Sequence, residues 1–399
     1  MSPRIHTTPF TPFRHRASAF LAGVGLLLGL VGGQVQAQSP TPVKPIVIAQ
    51  VSPTEGYLGF YTRQLQLGAN AAFQAVNARG GIAGQPVRFV TVDDGADPKR
   101  SIEAYETVAA KASPVAFLYH VGPDSIVRLL ESRTLDKLKI PLLGTIPAID
   151  AFRTPVRPYV FHLRRGEEAE IAAIARQLMT IGLSRLSVLY LDDPAGRGAV
   201  PIVEREIKAV GGSLVHSAAV ALGQNVSDAA IAEIAARRTQ VVLLFMAAET
   251  AGQVVSKLRK AGNELPLYSV SYLDARTLVA SAGARYARGV AISQSVPNPM
   301  KSVLPLAVEF RRDMAALTPP PPPEAYTPFT FEGYIAARVL VEAVRASGKS
   351  APSGRDVQAA LENLNVDLGG LPVRFRADTH VGLHFIDIGM VRENGELLY

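Results

Sequence analysis

The sequence predicts an α/β protein built as two doubly wound parallel-sheet lobes, and three observations carry that expectation. Short apolar segments alternate with longer segments of helical periodicity from Ile46 to Leu143. The same rhythm restarts after Tyr159 to Leu163 and runs to Ala261. A chain of 399 residues is too long for one small core.

In the first run, Ile46 to Val51 reads as a buried parallel strand. Tyr61 to Asn77 reads as a helix burying Leu65, Ala69, Ala72, Phe73 and Val76, and Gly80-Gly81 ends it. A strand at Val87 to Val92, a helix at Ser101 to Ala112, a strand at Val115 to Tyr119, a helix at Ser125 to Leu138 and a strand at Pro141 to Leu143 follow.

The second run has helices at Glu167 to Ile181, Val200 to Val210, Ser227 to Arg237 and Thr250 to Ala261. Strands at Leu186 to Leu191, Ser213 to Ala219 and Val241 to Phe245 alternate with them. Ser227 with Asp228 is a helix start, a hydroxyl and a carboxylate meeting free backbone donors. Beyond lie a strand at Ala291 to Val296 and a helix at Val303 to Leu317. The polyproline spacer Pro319 to Pro323, helices at Phe329 to Ser347 and Asp356 to Leu364, and strand-like alternation from Val373 complete the chain.

Composition narrows the function. Residues are 48% apolar and 19% charged, as in a globular chain. Arg4, Arg14 and Arg16 precede an apolar run from Ala17 to Val31, and Val35-Gln36-Ala37 supplies small residues at a cleavage site. Residues 1–37 are therefore expected to be a cleaved signal peptide, the apolar run being shorter than the ~20 residues a spanning helix needs. Without this segment the formal charge falls from +7 to +4. The remaining charge is dispersed, which argues against nucleic acid as a partner. With no cysteine there is no disulfide, thiolate metal site, Cys nucleophile or lipid-bearing Cys. Periplasmic localisation follows as the expectation.

Motifs for chemistry are weak. Gly196-Arg197-Gly198 has Pro201 where a dinucleotide fingerprint needs its third glycine, and reads as a tight strand-to-helix turn. Gly348-Lys349-Ser350 lacks the leading glycine of a phosphate loop, Ala343 standing there. His380 and His384 are expected as a surface pair in a strand, short of the ligands a metal requires. Asp93-Asp94, adjacent at a strand end, suits capping and loop hydrogen bonds better than acid–base catalysis. No nucleophile turn or zinc helix occurs, so neither an enzyme nor a cofactor is expected.

The order of segments resembles the type I periplasmic binding proteins of the branched-chain amino-acid (Leu/Ile/Val) binding family, receptors of ABC importers. The residues that carry it are Asn77-Ala78-Arg79-Gly80-Gly81-Ile82-Ala83-Gly84, Val92-Asp93-Asp94-Gly95 and Asp97-Pro98. Further on come Tyr159-Val160-Phe161, Asp192-Asp193, Ser271-Tyr272 and Phe331-Glu332-Gly333-Tyr334-Ile335-Ala336-Ala337-Arg338. The resemblance implies three hinge crossovers near Leu163, Val296 and Pro372. The lobes are then 44–163 plus 297–371 and 164–296 plus 372–399, with a ligand between them.

Carried over by position, the first site loop supplies Glu55 and Tyr57, the second His120, Gly122 and Ser125, and the third Thr145 and Ile146. The second lobe supplies Glu249, Tyr272 and Asp274. Arg164 is either a cleft-edge or a hinge residue. The resemblance puts hydroxyls of Ser125 and Thr145 on a ligand carboxylate, and a carboxylate of Glu249 or Asp274 on an ammonium. Ala195 stands where relatives often have Tyr, and the loop at Ala248-Glu249 lacks another Tyr. Expected partners are a small-molecule ligand, amino acid or related carboxylate, and the permease of an ABC importer, with the receptor a monomer. A ligand-sensing subunit of a membrane signalling protein is the alternative.

Overall fold

Buried runs of Val, Ile and Leu set the two sheets around which everything else packs. The computed structural model describes residues 43–399, so the expected signal peptide lies outside the described residues. The first sheet arises from β1 (Ile46–Val51), α1 (Gly56–Ala78), β2 (Val87–Val92), α2 (Pro98–Ala112), β3 (Ala116–Val121), α3 (Pro123–Ser132), α4 (Thr134–Leu138), β4 (Leu142–Ile146) and β5 (Val160–Phe161). Its order is β2-β1-β3-β4-β5, all pairs parallel. Every residue of β1, β3 and β4 is buried, as strands covered by helices on both faces require.

The second sheet follows from α5 (Glu167–Thr180), β6 (Arg185–Leu191), α6 (Pro194–Ala209), β7 (Ser213–Val220), α7 (Asp228–Ala236), β8 (Val241–Phe245), α8 (Ala248–Lys260), β9 (Leu267–Ser269), α9 (Ala275–Ala282), α10 (Ala284–Ala287) and β10 (Ala291–Gln294). The chain then returns to the first lobe. There it lays down α11 (Pro305–Ala315), α12 (Pro328–Ala346), α13 (Gly354–Glu362) and a hairpin of β11 (Asn365–Asp367) and β12 (Pro372–Arg374). It ends in the second sheet with β13 (Asp387–Val391) and β14 (Leu397–Leu398), giving the order β14-β13-β10-β9-β8-β6-β7. Only the pairings made by β13 and β14 there are antiparallel.

Helix α12 belongs to the first lobe because two glycines let it touch α1 backbone to backbone. A Cβ on Gly68 would overlap the Thr330 carbonyl, and one on Gly333 would overlap that of Leu65. The sequence cost of this close approach is two flexible residues inside helices; the gain is a seam that buries Tyr61, Leu65, Ala72, Phe331 and Tyr334.

Several local expectations need correction. The helix predicted over Ser125 to Leu138 is two helices, because Arg133 between them takes the left-handed conformation (φ 54°) and Thr134 spends its hydroxyl on Ser132 at 2.7 Å. Gly196-Arg197-Gly198 lies inside α6 rather than in a turn before it. Asp193 caps that helix, accepting from the Gly196 N–H at 2.7 Å, and a Cβ on Gly196 would overlap the Leu191 carbonyl. β9, α9 and α10 have no counterpart in the sequence reading. Pro372 opens β12 beside β11, so the chain reaches the second sheet only at Asp387.

His380 is buried rather than one of a surface pair, and it lies outside any strand. Its ring stacks on Phe161 at 4.0 Å, its Nδ1 sits 2.9 Å from the Val160 carbonyl, and its own carbonyl accepts from the His162 N–H. Asp93 and Asp94 hold loop amides, as expected. Asp93 accepts from Thr54 and Gly95, and Asp94 from Ala96, each at 3.0 Å.

Candidate ligand cleft between the lobes

In open parallel sheets the loops leaving the carboxyl ends of the strands surround a crevice at the point where strand order reverses. Here two such points face one another, between β1 and β3 in the first sheet and between β6 and β8 in the second. An open pocket lies between them. From the first lobe it is lined by Tyr57, Leu58, Tyr61, Pro123, Ile146 and Pro147, and from the second by Leu191, Asp193, Ala195, Phe245, Met246 and Tyr272. Ala247, at the start of α8, completes the rim.

The walls are apolar, with few polar groups. The Tyr57 hydroxyl is pushed up to about 12 by burial, helped by the Asp193 and Asp124 carboxylates, so it remains a hydrogen-bond donor at neutral pH. Burial likewise raises Asp193, against its bond from the Gly196 amide. Among the described residues that line this space there is no Lys, Arg or His.

Tyr272 joins the lobes at the cleft floor. Its hydroxyl accepts from the Ala148 N–H and donates to Glu167 Oε1, both at 2.6 Å, while its carbonyl accepts from the Tyr61 hydroxyl at 2.9 Å. Burial pushes the Glu167 carboxyl up to about 8; the Tyr272 hydrogen bond opposes the rise and nearby Asp150 adds to it. Behind this floor Arg164 forms a two-point ion pair with Glu332 of α12, its Nε 2.8 Å from Oε1, and donates to Ser271 at 2.7 Å. Tyr119 donates to the same Glu332. Burial works against the Arg164 charge, but Glu332 outweighs it and keeps the guanidinium protonated.

Of the residues expected at the site, the structure brings Tyr57, Ile146 and Tyr272 together in the cleft. Gly122 borders it as the residue before α3. His120 does not reach it. It is fully buried in the first lobe, with Nδ1 2.7 Å from the Val51 carbonyl and 3.2 Å from the Tyr105 hydroxyl. Ser125 and Thr145 are each 2% exposed and lie off the cleft lining; the Thr145 hydroxyl stands 3.5 Å from His162 Nδ1.

Glu55 is the exposed N-cap of α1, and Glu249 is exposed in the first turn of α8. Asp274 caps α9, accepting from the Thr277 amide and hydroxyl at 2.8 Å, and lines a different cavity. Arg164, 3% exposed, is an interlobe tie rather than a cleft-edge group. Sequence reasoning missed Asp193, Phe245 and Met246. Their place directly after β6 and at the end of β8 was the available signal.

The sequence pattern of the periplasmic binding protein family matches residues 45–396. The chain belongs to that family. Proteins of this family bind substrates and are not enzymes. A substrate-binding periplasmic protein from Ralstonia solanacearum superposes with a TM-score of 0.80 at 31% identity, covering 88% of this chain and 99% of that one. The chemotactic signal transduction system substrate-binding protein BasB of Halobacterium salinarum is 24% identical over 82% of this chain and 76% of its own. Leu/Ile/Val-binding protein homolog 1 of Brucella abortus is 24% identical over 75% of this chain and 78% of its own. The two-lobed periplasmic binding protein fold and the Leu/Ile/Val-binding resemblance read from the sequence both stand.

Proposed function

We propose that this periplasmic binding protein captures one small organic molecule with an apolar body in the interlobe cleft and delivers it, as a monomer, to the permease of an ABC importer. The observation that carries this reading is the lining itself: both lobes contribute aromatic and aliphatic walls around a few polar groups. Tyr57, Tyr61, Ile146, Asp193, Phe245 and Tyr272 are the proposed contacts. Leu/Ile/Val-binding relatives support an amino acid or related carboxylate as the cargo. A cleaved signal over 1–37 and a periplasmic location belong to the same proposal. So do lobes of 44–163 plus 297–371 and 164–296 plus 372–399, a division that sheet membership supports except at the last boundary.

Likeness to a chemotactic substrate-binding protein favours a second reading, in which the closed form reports its ligand to a membrane signalling protein. Mass spectrometry of small molecules released by denaturing the purified protein tests the cargo. A stoichiometric organic acid or amino acid with an apolar side chain is the expected result. A sugar, a polyanion, or no ligand together with no stabilisation by any metabolite in a thermal screen would overturn the reading.

A further inference from the structure

A second cavity, open on one side, lies behind the cleft floor. Tyr61 and Tyr272 line the cleft, whereas Phe329, packed edge-on against Tyr61 at 5.0 Å, and Ser271 and Leu273, which flank Tyr272, line the second space. Its walls come from the start of α12, the loop before α9, the second crossover around Met300 and the C-terminal hairpin.

Four charged side chains line this cavity, and three are accounted for. Asp274 Oδ1 is committed to Thr277, and Lys301 pairs with Glu396 at 3.6 Å. Arg276 is different. Among the described residues it forms no ion pair, and its Nη1 is buried without a hydrogen-bond partner. The β13–β14 turn covers its stem, since a Cβ on Gly395 would stand 3.0 Å from Arg276 Cα. Nη1 itself is closed off from the cavity, and it is the rest of this unpaired guanidinium, on the cavity wall, that can donate to an oxyanion.

We propose that this cavity is a second ligand site, distinct from the cleft, for a monocarboxylate with an apolar tail. Arg276 takes the carboxylate, and Leu273, Met300, Phe329 and Leu397 cover the tail. Asp274 and Glu396 beside it repel a polyanion. The walls belong to both lobes and to a crossover between them, so an occupant bridges the same bodies that a cleft ligand bridges.

The test is fluorine NMR of 4-fluorophenylacetate titrated into the full protein, the Arg276→Gln and Met300→Trp variants, and the cleft-filling Ala247→Trp variant. Saturable binding in the wild type that persists in Ala247→Trp, weakens by about tenfold or more in Arg276→Gln, and is lost in Met300→Trp is the expected pattern. Met300 is 42% exposed, so its variant tests the cavity even if the Arg276 change disturbs folding. No saturable binding to the wild type, unchanged binding in Met300→Trp, or loss confined to Ala247→Trp overturns the proposal.

Discussion

The hydroxyl of Tyr61, from the first lobe, donates to the backbone carbonyl of Tyr272, from the second, at 2.9 Å, while the Tyr272 hydroxyl reaches back to the Ala148 amide. Two side chains that wall the candidate cleft thus also hold its sides together. Tyr272→Phe removes the acceptor for Ala148 and the donor to Glu167, leaving two buried groups unpaired. It is expected to lower stability by about 1–3 kcal/mol in urea unfolding.

The raised Glu167 carboxyl gives stability a pH signature. The unfolded group loses its proton near its model value of 4.5, whereas the folded one keeps it to about 8. Between those values the native state binds more protons, so the contribution is full below the lower value and is lost as pH rises through the upper one. Glu167→Gln has nothing to titrate. Unfolding free energies measured from pH 5 to 9 should fall with pH more steeply in the wild type than in the variant, by up to about 1.4 kcal/mol per pH unit. Parallel pH profiles would contradict the assignment.

Breaking the Arg164–Glu332 pair from one side should cost more than replacing both partners. Arg164→Met strands a carboxylate that is 0% exposed in α12, and a loss of about 3–5 kcal/mol is expected. Arg164→Met combined with Glu332→Leu should recover much of that loss. Denaturant midpoints of the single and double variants decide the matter, and additive losses would count against the pairing.

The division between what the sequence makes legible and what it hides has a physical cause. Alternating buried strands and amphipathic helices identify both sheets, because each strand must be apolar on two faces. Tyr57 and Tyr272 were reachable because the family resemblance put them in the site segments that follow strands, and both line the cleft. His120 and Thr145 misled because they are register partners in β3 and β4 and turn their polar atoms into the lobe. A polar side chain near the end of a strand does not reveal which residue is the last to leave the sheet. Leu191 and Phe245 end predicted strands and read as core from sequence, and only the first lobe opposite them makes that apolar end, with Met246, a wall of the candidate cleft. Arg164 and Glu332, 168 residues apart, carry no sign in the chain that they meet.

The central claim is that ligand occupies the space between Tyr57, Phe245 and Tyr272. Ala247 is partly exposed on the rim of that space, and the chain has no tryptophan, so Ala247→Trp both fills the cleft and adds one fluorophore there. The direct measurement is calorimetric titration of wild type and Ala247→Trp with the molecule released on denaturation, beside their unfolding temperatures. Binding of one molecule per chain in the wild type, weakened about tenfold or more in a variant of unchanged thermal stability, is the result predicted. Equal affinity in the two proteins would place the ligand elsewhere and contradict the account.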